Sequence, residues 1–216
     1  DDETSRGLGD VYKRQISGSA PLLSETHEEF TKRTGHHILE RYGMTETNMI
    51  TSNPYHGERR PGTVGKPLAD VQMKITDPET GKEMVEGKIG MIEVRGPNVF
   101  KGYWNMPDKT ALELRETGYF ITGDLGKLSS DGYLSIVGRE KDLIISGGYN
   151  VYPKEVEDIL NALNQIDETA VFGIPDSDLG ERVVAAVVLE NNKNFNQSKT
   201  EVFVNEKLAR YKQPKE

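Results

Sequence analysis

Apolar and polar positions follow three successive styles along this chain. Ile16-Ser17-Gly18-Ser19-Ala20-Pro21 reads as a strand end running into a small-residue loop. A helix is predicted from about Thr26, where Thr26 and Glu29 have capping-box spacing, to Gly35, which suits the left-handed position after a helix. A short strand from Ile38 to Arg41 leads into the turn Tyr42-Gly43-Met44-Thr45-Glu46. Strand, helix and strand in this order predict a βαβ unit with a parallel sheet, whose loops at the carboxyl ends of strands are where ligands sit.

Beyond Arg60 the pattern shortens. Val71 to Thr76 and Ile89 to Arg95 alternate as strands around the turn Asp77-Pro78-Glu79-Thr80-Gly81. A short helix is predicted from Pro107 to Glu116, ending at Gly118. Tyr119 to Ile121 and Lys127 to Val137 add strands, with Ser130-Asp131-Gly132 as a hairpin turn. These elements predict a small antiparallel sheet or distorted barrel. The third style begins near Arg139: a strand (Asp142 to Ile145), a glycine turn, and a helix from Pro153 with Val156, Ile159, Leu160 and Leu163 at helical spacing. Two strands (Thr169 to Ile174, Arg182 to Leu189) and a helix capped by Ser198 and Glu201 complete an α+β unit.

The fold class read from this order is α/β. It comprises a βαβ unit with a small antiparallel β subdomain (residues 16–139), then an α+β unit that looks truncated (residues 140–216). Residues 1–15 lack periodicity and are read as a disordered or non-native leader.

Composition narrows the classes. At 216 residues the chain can bury about 70% of its unfolded surface without a staple. The absence of cysteine excludes disulfides, thiolate metal sites and a cysteine nucleophile, and is compatible with a reducing cytoplasm. A net charge of −8 argues against nucleic acid and against a polybasic membrane anchor as partners. The apolar run Val183 to Leu189 is far short of the ~20 residues of a membrane span. Among the histidines, His27, His36, His37 and His56 show no ligand spacing.

Several turns carry chemistry, and each has two readings. In Tyr42–Glu46 a hydroxyl and a carboxylate stand side by side, suited to a phosphate oxygen and Mg²⁺; equally, Thr45 could be a helix N-cap. Gly18, Ser19 and Ala20 form either a flat bed for a base or a plain turn. In Thr122-Gly123-Asp124 the carboxylate either accepts from ribose hydroxyls or makes an Asx turn. The charges of Arg139-Glu140-Lys141-Asp142 make either a solvated linker or something more specific. Gly147, Gly148 and Tyr149 present bare backbone, structural or shaped for a narrow ligand.

Taken in order, these segments resemble the acyl-adenylate-forming superfamily of AMP-dependent synthetases and ligases. Within it, Glu40 to Met49, Thr51 to Tyr55, Gly96 to Trp104 and Gly147 to Glu155 are most similar to malonyl-CoA synthetases. The resemblance implies an acid–thiol ligase using ATP, Mg²⁺ and coenzyme A, in which a carboxylate displaces pyrophosphate and the thiol then attacks the acyl-adenylate. It implies that Gly18, Ser19 and Ala20 flank adenine and that Tyr42, Gly43 and Met44 wall the pocket. Thr45 would bond the α-phosphate, Glu46 would hold Mg²⁺, and Asp124 would take the ribose with Arg139 beside it. Lys141 matches a hinge, and Gly147, Gly148 and Tyr149 match a channel for the pantetheine arm. The resemblance further implies that residues 16–139 are the remnant of a large domain and residues 140–216 a truncated lid domain.

A dicarboxylic acid such as malonate or methylmalonate brings a second carboxylate, which a guanidinium can bind in bidentate fashion. Arg41 is the candidate; a salt bridge with Glu40 is the other reading. The family's Gly/Ser/Thr-rich phosphate loop and its extreme C-terminal lysine are not found in the sequence. The expectation is therefore that the 216-residue chain alone is inactive. Two other readings stand: a synthetase for another short or medium-chain acid, and a non-catalytic nucleotide-binding module.

Overall fold

Strands β1 (Ile16–Ser17) and β2 (Leu39–Met44) pair in parallel, joined across helix α1 (Ser24–Thr34), so the expected βαβ unit forms. The computed structural model describes residues 15–20, 22–191 and 193–216. The expected leader therefore falls outside the described residues except at Gln15, whose carbonyl accepts from Leu39 N–H at 2.8 Å. Strand β2 pairs antiparallel with β3 (Asn48–Ser52), which pairs antiparallel with β4 (Lys66–Pro67). The sheet is thus mixed rather than parallel, because β2 doubles back on itself instead of leading into another helix.

Helix α1 ends as expected, with Gly35 at φ 72 and its N–H bonded to Thr31 O. Its start departs from expectation. The helix begins at Ser24, two residues before the anticipated box, and its N-cap Leu23 makes no side-chain cap. What anchors this turn is tertiary: His27, fully buried, places Nδ1 2.9 Å from Oε1 of buried Glu40 on β2.

The second sheet orders β5 (Gln72–Thr76), β6 (Gly90–Arg95), β7 (Phe120–Leu128) and β8 (Leu134–Arg139). The strands expected at Tyr119–Ile121 and from Lys127 join through Thr122–Gly126 into one, β7, which starts at Phe120 and ends at Leu128, while the Ser130–Gly132 turn is as expected. Helix α2 (Pro107–Glu113) precedes β7. Tyr42, Ile50, Ile75, Ile92, Val94, Phe120 and Leu134 form one apolar core.

Between the core residues Ile92 and Val94, and so on the other face of β6, Glu93 is fully buried. It accepts from Arg115 (Nη2 at 2.6 Å) and Thr76 Oγ1 (2.8 Å), and Lys74 Nζ lies at 3.2 Å. Burial alone would raise its carboxyl; Arg115, Thr76 and Lys74 outweigh it and hold the group below the ordinary range. A lowered folded value contributes stability above the unfolded pKa of about 4.3, and that contribution is lost as pH falls through the folded value. Glu93→Gln is expected to destabilise by about 2 kcal/mol at pH 7, with the deficit shrinking below pH ~4, in denaturation curves taken across pH.

The chain divides into two compact units: one runs to Thr122 and includes Gly126–Ile136, the other comprises Gly123–Leu125 and Val137–Glu216. In the second, β9 (Ile144–Ser146), β10 (Tyr149–Val151), β11 (Ile166–Asp176) and β12 (Gly180–Leu189) form a sheet ordered β10-β9-β12-β11. Helix α3 (Pro153–Asn161) opens on proline, whose missing N–H costs nothing there, and buries Val156 and Leu160 one turn apart. Helix α4 (Gln197–Lys207) is capped by Asn196, whose Oδ1 accepts from Lys199 N–H at 3.0 Å, rather than by Ser198. Their core is Ile144, Val151, Val156, Leu160, Val171, Val183 and Val204 among others.

Candidate functional site

Thr45 stands at the tip of the β2–β3 hairpin. Thr47 N–H donates to Met44 O at 3.2 Å and Asn48 adopts φ 54, the turn-plus-left-handed-residue form of a three-residue hairpin loop. No helix follows, so the alternative of Thr45 as a helix cap falls away. Gly43 lies in the strand at a register shift; a Cβ there would sit 2.1 Å from Asn48 O. Glycine is required by the hairpin's own closure.

A distant segment grips this turn. Asn98 Nδ2 donates to Thr47 O (2.7 Å) and Met49 O (3.1 Å), and Phe100 N–H donates to Glu46 O at 2.8 Å. The Tyr103 hydroxyl lies 3.1 Å from Glu46 Oε1 and 2.6 Å from Glu113 Oε2. Burial, then Glu113 and Glu46, push that hydroxyl well above its ordinary pKa, so it stays protonated. Thr45 is exposed and Glu46 half-buried. The stretch Gly96–Trp104 was read only as a family likeness; its grip on the turn spans some fifty residues, beyond any local pattern.

Parallel pairing of Ser17 with Glu40 sets Gly18 beside Arg41, where a Cβ on Gly18 would lie 3.4 Å from Arg41 Cγ. Gly18, Ser19 and Ala20 are exposed, and Ser19 holds φ 70. Arg41 is exposed and makes no ion pair among the described residues; Glu40 faces His27, so the alternative of an Arg41–Glu40 bridge is not formed. Tyr42 points into the core. The first unit therefore gathers Gly18–Ala20, Arg41 and Tyr42–Glu46 around the carboxyl ends of β1 and β2.

Asp124, Arg139, Lys141 and Gly147–Tyr149 belong to the second unit. Thr122-Gly123-Asp124 is a strand segment rather than an Asx turn, with Gly123 at φ 74. Asp124 Oδ1 lies 3.4 Å from Arg139 Nε, the acid largely covered and the guanidinium 60% exposed. Lys141 sits exposed in a single 3₁₀ turn, Glu140–Asp142. Gly147 (φ 58) and Gly148 (φ 80) form the two-residue turn of the β9–β10 hairpin, which demands glycine on conformational grounds alone. A Cβ on Gly148 would meet nothing within 4 Å, leaving the turn open to a narrow ligand. Exposed Tyr149 stacks on Tyr211 at 4.7 Å. A cavity of about 330 Å³ in this unit, lined by Leu160, Val187, Phe195 and Val204, includes none of the candidate site residues.

The donor set suits the implied ligands. Mg²⁺ takes one or two carboxylates and completes its shell with phosphate and water, and Glu46 beside an exposed threonine fits that pattern. The described residues contain no group of three or more acidic or histidine ligands that would form an all-protein cage. No helix among them is long and apolar enough to cross a membrane.

Residues 3–104 match the AMP-binding enzyme family, and residues 155–216 match the AMP-binding enzyme C-terminal domain. The chain is 42% identical over 204 residues to a long-chain-fatty-acid–CoA ligase of Bacillus subtilis (strain 168), an overlap covering 94% of this chain and 36% of that protein. It is 40% identical over 210 residues to the malonate–CoA ligase of Arabidopsis thaliana, covering 92% of this chain and 34% of the relative. Among solved structures, ATP-bound MatB from Rhodopseudomonas palustris is 56% identical, with a TM-score of 0.91 over 94% of this chain and 40% of that one. The chain spans between a third and two-fifths of the length of these proteins.

Proposed function

Because this chain belongs to the AMP-binding enzyme family, we propose that the protein carrying it joins a short dicarboxylic acid, malonate or methylmalonate, to coenzyme A through an acyl-adenylate. AMP and pyrophosphate are the other products. The observation that carries the acid's identity is Arg41: exposed, without an ion-pair partner among the described residues, and on the strand that ends in Thr45 and Glu46. A guanidinium there meets a second carboxylate in bidentate fashion and disfavours acids that lack one. The high identity to MatB and the likeness to malonate–CoA ligase support this reading. The comparable likeness to a long-chain ligase keeps a different acid as the competing reading.

Each residue then has a task. Gly18, Ser19 and Ala20 lie flat against adenine, and the Tyr42-Gly43-Met44 segment walls the nucleotide and acyl pocket with its backbone, the Tyr42 ring being turned into the core. Thr45 donates its hydroxyl to the α-phosphate, where it steadies the oxygens as the acid attacks in line. Glu46 holds Mg²⁺, which when bound offsets the charge developing on the phosphates. Asp124 accepts from the ribose hydroxyls, with Arg139 alongside. Lys141 is the pivot between adenylation and thioester formation, and Gly147, Gly148 and Tyr149 border the path of the thiol arm. The protein works in the cytoplasm on small molecules.

Arg41→Ala tests the acid. The KM for malonate is expected to rise by roughly tenfold or more, while the KM for ATP and the use of a monocarboxylic acid stay unchanged. An equal loss for every acid, or no loss with malonate, would contradict the assignment.

A further inference from the structure

Two carboxylates and one phenol meet beneath the hairpin turn. The Tyr103 hydroxyl touches Glu113 at 2.6 Å and Glu46 at 3.1 Å, yet it owns a single proton and can satisfy only one of them at a time. The shorter contact has the length of a charge-assisted O–H···O⁻ bond, and the longer one lies at the outer edge of the ordinary range. The ring itself is fixed: Phe100 packs edge-on at 4.8 Å, Lys109 Nζ sits 4.1 Å over its face, and Thr110 Oγ1 accepts from Tyr103 N–H at 2.9 Å. Lys109 Nζ also lies 3.9 Å from Glu113, so Glu113 has a cation of its own. Glu46 has no such cation: among the described residues it makes no ion pair, and its side chain hydrogen-bonds to this hydroxyl.

We propose that Tyr103 is a positioning residue for Glu46, holding its carboxylate in one orientation before a divalent cation binds and then ceding it to the cation while the hydroxyl donates to Glu113. This rests on the assignment of Glu46 as the metal-holding carboxylate. Without the hydroxyl, the half-exposed glutamate is free to turn among its rotamers, and binding a cation must then order it. With it, the ligand is oriented beforehand. The arrangement leaves no donor unpaired, because Glu113, with Lys109 beside it, accepts the hydroxyl proton once Glu46 leaves. Outer partners of metal ligands act in this way throughout protein chemistry.

Mn²⁺ binding in the presence of ATP, followed by the loss of the free-ion electron paramagnetic resonance signal in the protein that carries this chain, tests the idea. Tyr103→Phe keeps the packing on Phe100 and the cation over the ring. It is expected to weaken Mn²⁺ binding by roughly tenfold while leaving metal-free ATP binding unchanged. Glu113→Gln is expected to weaken it too, since Glu46 then becomes the hydroxyl's only charged acceptor. Combining Tyr103→Phe with Glu46→Gln should cost no more than Glu46→Gln alone, as for two residues acting through one contact. Mn²⁺ affinity within twofold of the parent in Tyr103→Phe, or fully additive losses in the double variant, would overturn the proposal while leaving Glu46 as ligand. Equal Mn²⁺ binding by the parent and by Glu46→Gln would instead overturn the assignment of Glu46 and the proposal with it.

Discussion

Gly43→Ala is expected to lower the stability of the first unit by about 3 kcal/mol and to abolish nucleotide binding with it. The new methyl would lie 2.1 Å from Asn48 O and 2.7 Å from Met49 Cε. A flexible side-chain end could swing away, but a carbonyl in the facing strand moves only if the hairpin opens. Opening it releases the Thr47–Met44 turn bond and displaces Thr45 and Glu46 together. Gly35→Ala is the matched control. Gly35, unlike Gly43, has a positive φ, but a Cβ there meets nothing within 4 Å, so only the backbone cost of about 1 kcal/mol applies. Chemical denaturation of the two variants separates the effects: losses of similar size would remove close approach as the reason for glycine at position 43.

Glu46→Gln acts on chemistry rather than on folding. Its carbonyl still accepts from Phe100 N–H, and the amide can still face Tyr103, so the turn persists. What is lost is the negative charge proposed to hold Mg²⁺ against the phosphates. The expected result is a fall of about 10²- to 10³-fold in kcat, with denaturation midpoints unchanged. Full activity in Glu46→Gln at saturating Mg²⁺ would place the metal elsewhere.

Local chemistry made much of this fold legible. Gly35 ends α1, Pro153 starts α3, the two glycines at 147 and 148 turn the β9–β10 hairpin, and the βαβ order appears where it was read. Each is dictated by backbone freedom or periodicity within a few residues. The departures come from contacts made at a distance or from near-equal local preferences. Helix α1 starts before its capping box, where buried His27 meets Glu40 on another strand. At α4, Asn196 took the cap in place of Ser198, two residues with nearly equal preference for it. Strand β7 runs unbroken through Gly123, where a turn was one of two readings, because pairing continues on either side of that glycine.

The site was legible as a set of positions rather than as geometry. The sequence placed Thr45 and Glu46 in a turn, but not the grip of Asn98, Phe100 and Tyr103 upon it. Nor could it decide between Glu40 and a ligand as the partner of Arg41; the buried His27–Glu40 pair removes the first. His27 itself, one of four histidines without ligand spacing, turned out to be a packing residue with a polar partner.

The central claim is that the Thr45–Glu46 turn serves acyl-adenylate formation from a dicarboxylic acid. Only that step regenerates ATP from pyrophosphate, so the most direct measurement is exchange of labelled pyrophosphate into ATP by the protein that carries this chain. The account predicts exchange that requires both malonate and Mg²⁺, proceeds without coenzyme A, and is lost in Glu46→Gln. Exchange that is absent with malonate, or that persists undiminished in Glu46→Gln, would contradict it.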